Sequence, residues 1–210
     1  MHPLLAECFR IVQMLNVSGN ATRTLWVKGV DEADMDAAHQ WRTAVFVWWL
    51  NERFELGYDF ARLFRAAICH DSHEGHAPGG DVAAFFKPDH PLNDPIKRNE
   101  EKERREAIGM RNLEEAIGDI FPGFIKTLTA YNERATAEER LVYAADKFLD
   151  SLLVVDDNGR TNHLIGTTLA EHHAYKGPKC SIDPTVAELY RLLHEHCTEH
   201  ESELFPAPPA

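Results

Sequence analysis

The feature that most constrains this chain is its hydrophobic period. From one end to nearly the other, apolar residues recur at three- and four-residue steps, interrupted by Gly, Pro and Asn. Alternating strand-like runs are weak, and no β-α rhythm appears. Such a chain packs helix on helix, so an all-α fold is expected and a Rossmann or P-loop architecture is not. Helices are predicted over about Pro3–Leu15, Ala37–Phe54, Asp59–His73, Ile96–Ile117, Pro122–Glu133, Thr136–Val155, Asn162–Tyr175 and Pro184–Glu203, with one short helix at Asp81–Phe86. Thr136 and Glu139 form the T-x-x-E pattern that starts a helix. Thr22–Asp36 is expected to be irregular. The length suits one domain, taken as residues 1–204, with the Pro/Ala-rich end 205–210 expected to fray.

Three of the helical stripes are spoiled by ionisable residues. His39 falls in register with Thr43, Phe46 and Leu50. The stripe Leu63, Ala67 ends in His70-Asp71, with Glu74 one turn further. Asp146 lies among Val142, Ala145, Leu149 and Leu153. Each has an ordinary explanation alone: a satisfied core histidine, a helix-end pair, a carboxylate paired with arginine. Together they are costly, because a buried carboxylate without compensation costs several kcal/mol. Three helices of a bundle can bring them to one point. A divalent metal is the compensation that suits mixed imidazole and carboxylate donors.

Charge narrows the class further. The net charge of −12 argues against a nucleic-acid polymer as partner, since no Lys/Arg run offsets it. A small anion is still compatible, because one Arg or one metal reverses the local field. Few cations stand near the motif in sequence, which favours a small, weakly charged substrate. Cys8, Cys69, Cys180 and Cys197 have no C-x-x-C spacing and read as reduced thiols. Met1–Leu15 carries Glu7 and Arg10 within its apolar pattern and lacks the form of a signal peptide. No stretch has membrane-spanning length, so a cytoplasmic location without membrane association is the expectation.

In order along the chain, these residues resemble the H…HD…D signature of the HD-domain phosphohydrolases: His39, then His70-Asp71, then Asp146. The likeness extends to the 5′-deoxynucleotidase branch. Arg23-Thr-Leu-Trp-Val-Lys-Gly-Val30 with Ala38-His39-Gln40-Trp41-Arg42 resembles its R-T-G-W…G-V…E-H-S-W-R stretch. His70-Asp-Ser-His-Glu74 resembles H-D-x-x-E, Gly80-Asp81 with Lys87 resembles G-D…K, and Ala145-Asp146-Lys147 resembles A/L-D-K. The series runs from Leu15 to about Asp156. Ala38 stands where the family has an acid, and the loop between Glu74 and Asp81 is longer than in the family pattern.

The resemblance implies a compact HD-domain helical bundle holding one divalent transition metal (Co, Mn, Fe, Ni or Zn) through His39, His70, Asp71 and Asp146. It implies a metal-dependent hydrolase of phosphoric esters that takes 2′-deoxynucleoside 5′-monophosphates to nucleoside and phosphate. The alternative on the same site is a (d)NTP triphosphohydrolase such as a dATPase, and a third reading is an inactive HD binding module. Glu74 and Asp81 would handle protons. Arg23 would clamp phosphate, with Trp26 and Lys87 contacting the nucleotide. A homodimer is also implied, for which the apolar face of the last helix is available. His172-His173 and His194, His196 and His200 read as helix-surface residues.

Overall fold

A computed structural model describes residues 2–26, 33–80, 82–86 and 90–207, without the side chains of Thr24, Trp26 and Ala33. Helix α1 (Pro3–Gly19) leads into a two-stranded antiparallel ribbon, β1 (Thr22–Trp26) and β2 (Ala33–Met35), and then α2 (Asp36–Arg53) and α3 (Phe60–Cys69). A single 3₁₀ turn covers Glu74–His76 and another Pro91–Asn93. Helices α4 (Pro95–Ile117), α5 (Pro122–Glu133), α6 (Ala137–Asp156), α7 (Arg160–Ile165), α8 (Leu169–Cys180), α9 (Pro184–Glu199) and α10 (Glu201–Leu204) complete the chain. The all-α expectation therefore holds. No helix among the described residues is long and apolar enough to cross a membrane.

Helix α6 is the central rod. Leu141, Val142, Ala144 and Ala145 are fully enclosed on it, and α2, α3, α5, α8 and α9 pack around it. Its start is held as the sequence pattern requires: the Glu139 carboxylate accepts from the Thr136 backbone N–H at 2.9 Å. The same carboxylate accepts from Arg62 Nε at 2.6 Å and Nη2 at 3.2 Å, which ties α3 to α6. Asp59 caps α3 and Asp94 caps α4 through their side chains.

Several local expectations are corrected. The stretch expected to be irregular, Thr22–Asp36, contains the β1–β2 ribbon, with Thr22 opposite Met35 and Trp26 opposite Ala33. β-Branched and aromatic residues suit a pleated ribbon, and five residues were too few to show a period. Helix α3 stops at Cys69, because the backbone tightens there: Ser72 N–H bonds to Cys69 O and Glu74 N–H to Asp71 O. No helix forms over the described part of Asp81–Phe86. Val82 and Ala83 are buried there in irregular backbone.

The helix expected over Asn162–Tyr175 splits at Gly166, whose φ of +79° is a left-handed stop. It resumes at Thr168, which makes a capping box with Glu171, and it runs through Pro178 to Cys180. Proline inside a helix costs about 3 kcal/mol, a cost opposed here by the burial of Lys176, Gly177 and Cys180 on that helix. Phe205, expected to begin a frayed end, is 2 % exposed and packs edge-on against His172. An aromatic ring that reaches the core outweighs the entropy of one chain end.

One close approach sets the floor of the site. A Cβ on Gly109 of α4 would lie 2.3 Å from the carbonyl oxygen of His73. Only glycine lets α4 press against the turn that carries His70, Asp71 and Glu74.

Candidate metal centre

The four residues singled out on three separate helical stripes meet in the interior. His39 comes from the first turns of α2, His70 and Asp71 from the turn that ends α3, and Asp146 from the middle of α6. All four are buried, and one ligand atom of each lies within 4.8 Å of the others. His39 Nε2 is 3.1 Å from His70 Nε2. Asp71 Oδ2 is 3.1 Å from His70 Nε2 and 3.5 Å from His39 Nε2. Asp146 Oδ1 is 3.0 Å from His39 Nε2 and 3.9 Å from His70 Nε2.

These spacings suit ligands around a single ion. Bonds of about 2.1 Å place neighbouring donors roughly 3.0 Å apart in an octahedron and 3.4 Å in a tetrahedron. The tautomer suits it as well. His70 Nδ1 stands 2.8 Å from the carbonyl oxygen of Ala67, which can only accept. That nitrogen therefore carries the proton, and the Nε2 lone pair of the neutral ring points at the cluster.

Electrostatics follow from burial and from the neighbours. Burial pushes the pKa of His39 down, and Arg23 adds to that. Burial also opposes a charge on His70, but Asp71 and Asp146 outweigh it and hold its pKa up. Asp71 and Asp146 are held well below the usual carboxylate range: burial alone would raise them, and His70 for Asp71 and Lys147 for Asp146 overcome it. A divalent ion would take over the charge balance that a proton on His70 otherwise serves, with release of that proton.

Arg23, from β1, stands beside this cluster. Its Nη1 donates to Asp71 Oδ2 at 2.7 Å and lies 3.7 Å from Asp36, and its Nη2 donates to Asp150 Oδ1 at 3.3 Å. It is thus held in a carboxylate clamp. Asp36, at the start of α2, is fully buried and reaches toward Asp71 and Glu74. It supplies a carboxylate near the place where Ala38 departs from the family pattern. Glu74 is buried, with Lys102 Nζ 3.7 Å from its Oε1. Asp81 and Lys87 lie outside the described residues, as does the side chain of Trp26.

A cavity opens beside Asp71 and Glu74. Its lining combines Arg23, Lys102, Lys147 and Lys176 with the carboxylates Asp71, Glu74 and Asp150 and with Val82, Phe85, Val154, Ile165 and Tyr175. Phe85 meets Tyr175 edge-on with centroids 5.2 Å apart, and it stacks on His172 at 6.3 Å. His172 corrects the surface assignment: it is buried, and burial with Lys176 nearby pulls its pKa down to about 3.

The expectation of few cations is also corrected. Lys102 and Lys176 arrive from α4 and α8, remote in sequence, and Lys147 stands beside Asp146 on α6. A second cavity of about 1,050 Å³ shares Asp71, Glu74, Lys102 and Lys147 with the first and adds Arg134 and Lys179. Burial, then the neighbouring lysines, pulls the Lys179 pKa to about 6. Lys147 stood in the A/L-D-K match without a role, and Asp150, which was missed, had a readable signal one turn beyond Asp146 on α6. Lys176 had none, because only the packing of α8 on α6 brings its Nζ to 2.7 Å from Asp150.

Compared with known proteins, residues 20–183 match the model of the HD domain. The chain belongs to the HD domain family. The fold of this HD domain is similar to the crystal structure of a predicted metal-dependent phosphohydrolase from Magnetospirillum magnetotacticum MS-1. The TM-score is 0.76 and the identity 21 %, over 97 % of this chain and 98 % of that one. No curated protein matches this HD domain in sequence.

Proposed function

We propose that this HD domain is a divalent-metal-dependent phosphohydrolase that cleaves 2′-deoxynucleoside 5′-monophosphates to nucleoside and phosphate. The observation that carries the reading is the convergence of His39, His70, Asp71 and Asp146 within 4.8 Å at the edge of a cavity lined by both basic and aromatic side chains. Such a lining suits a ligand that carries both a phosphate and a base. The preference for the deoxy sugar and the monophosphate is drawn from the motif resemblance.

A divalent ion on these four donors would polarise the phosphoryl group and make a water acidic enough to attack at neutral pH. Its identity is Mn, Fe, Co, Ni or Zn, which mixed His/Asp ligation accepts alike. Glu74, buried at the cavity wall, takes the proton of the attacking water. The water oxygen forms the new P–O bond, the P–O5′ bond breaks, and the leaving alkoxide takes up the proton that Glu74 accepted from the water. Lys147 and Lys176 offset charge on the phosphate oxygens, and Arg23 holds Asp71 in place through its 2.7 Å hydrogen bond. Phe85 and Tyr175 give the base an apolar surface.

A specific observation favours a second reading, hydrolysis of a nucleoside triphosphate. Arg134 extends the cationic lining into the second cavity, beyond what one phosphate needs. One experiment separates the readings. Metal-stripped protein receives each metal in turn, then dAMP, AMP and dATP, and the products are resolved. Orthophosphate from dAMP is the expected result. Tripolyphosphate from dATP with dAMP untouched would replace it by the second reading. No turnover of any nucleotide by metal-loaded protein would make the chain a binding module.

A further inference from the structure

The last turn of α9 carries a second group of metal-binding side chains, outside the interior centre. His196, Glu199 and His200 stand three and four residues apart, so they share one face of the helix. One ligand atom of each lies within 4.8 Å of the others; His196 and Glu199 are exposed and His200 is half-buried. The two imidazole rings are 4.5 Å apart, centroid to centroid. The order H-x-x-E-H offers both imidazoles of one helical turn to a single ion.

The scaffold beneath these side chains is fixed. The opposite side of α9 turns Val186, Tyr190, Leu193 and Cys197 into the core. The apolar face expected from the sequence to serve self-association is therefore already used. The turn that carries the two histidines is closed by a hydrogen bond from the His200 N–H to His196 O at 3.1 Å. Just beyond it the chain is anchored again, because Leu204 and Phe205 are buried. The intervening side chains do not compete for the ion: Cys197 is buried, and the Thr198 hydroxyl donates to His194 O at 2.8 Å.

We propose that His196, Glu199 and His200 bind a divalent ion of the zinc class at the end of α9. Two imidazoles with one carboxylate suit zinc, nickel or copper, whereas magnesium and calcium take oxygen ligands. The ion would sit at a helix C-terminus, where the carbonyl ends of the peptide dipoles favour positive charge. The net charge of −12 raises the concentration of cations around the chain. His200 Nδ1 lies 3.7 Å from Glu203 Oε2, so a carboxylate stands behind that ring, as it does behind many metal-bound imidazoles. Rotation about surface side-chain torsions brings the donors to the roughly 3.0–3.4 Å spacing of ligands on one ion.

The test is zinc binding by the full chain against a chromophoric chelator, beside His196→Ala/His200→Ala and Asp146→Ala. The double variant should lose a zinc of micromolar affinity, weakened by at least about 100-fold, and keep the interior one. Asp146→Ala should do the reverse, so the two sites fail separately. Glu199→Gln should weaken the surface zinc about 10-fold. In wild-type protein, with no substitution, zinc should slow acylation of His196 and His200 by diethyl pyrocarbonate at least about 10-fold, read by peptide mass spectrometry. A folded double variant that binds zinc as the wild type does overturns the proposal. Full reactivity of both histidines under saturating zinc overturns it too, as does their release of zinc to magnesium. Zinc held only between two molecules, at half an ion per chain, also overturns it.

Discussion

Asp150 offers the sharpest test of how the cationic wall is built. It is buried on α6 one turn beyond Asp146, accepts from Lys176 Nζ at 2.7 Å, and bonds Arg23 Nη2 at 3.3 Å. Burial would raise its pKa, but Lys176 and Arg23 outweigh that and bring it from an ordinary 3.8 to about 2. At about 1.4 kcal/mol per pH unit, this depression corresponds to roughly 2–3 kcal/mol of stability. Breaking a buried pair and stranding its partner costs about 3–5 kcal/mol by general experience.

Asp150→Asn should therefore destabilise the protein by about 2–4 kcal/mol. At roughly 2–4 °C per kcal/mol for a chain of this size, the melting temperature should fall by about 5–15 °C. The pH dependence has a definite sign. A folded-state pKa below the unfolded one gives stability that is complete above about pH 4 and is lost as pH falls toward 2. Asp150→Asn should lack that portion of the acid sensitivity. The assay is thermal and urea unfolding of wild type and variant from pH 2 to 8. Adding Lys176→Met to the variant should recover part of the loss, because the stranded ammonium is gone. A variant that melts within 1 °C of wild type with an unchanged acid limb would refute the assignment.

Three other outcomes follow from the same geometry. Asp146→Ala should lose metal affinity by at least about 100-fold, because losing even an outer-shell partner costs 10–100-fold, and it should lose activity with it; metal content by mass spectrometry and turnover on one sample decide this. Glu74→Ala should keep its metal and lose about 10²–10⁴ in kcat, so wild-type turnover would remove its assigned role. Gly109→Ala forces a Cβ to 2.3 Å from His73 O and should cost about 1–3 kcal/mol, read by urea unfolding, with weaker metal binding because the His70–Glu74 turn must move.

Much of this was legible in the sequence because helical period is a local property. The stripes gave the helix class, and the misfit of His39, His70-Asp71 and Asp146 within those stripes marked the site. A charged group in an apolar stripe is readable wherever the stripe is. The ribbon at β1–β2, the stop of α3 at Cys69 and the burial of Phe205 were not legible, because pairing and packing partners decided them.

The same division applies to the site. Its donors were fixed by residue type and helical register. Its charge was decided by the tertiary fold: Arg23 arrives from a strand, Lys102 from α4, and Lys176 from a helix that passes through Pro178. No sequence period links these cations. Long side chains on separate elements meet only after the helices pack, so the candidate metal centre was written locally and the cationic lining beside it was not.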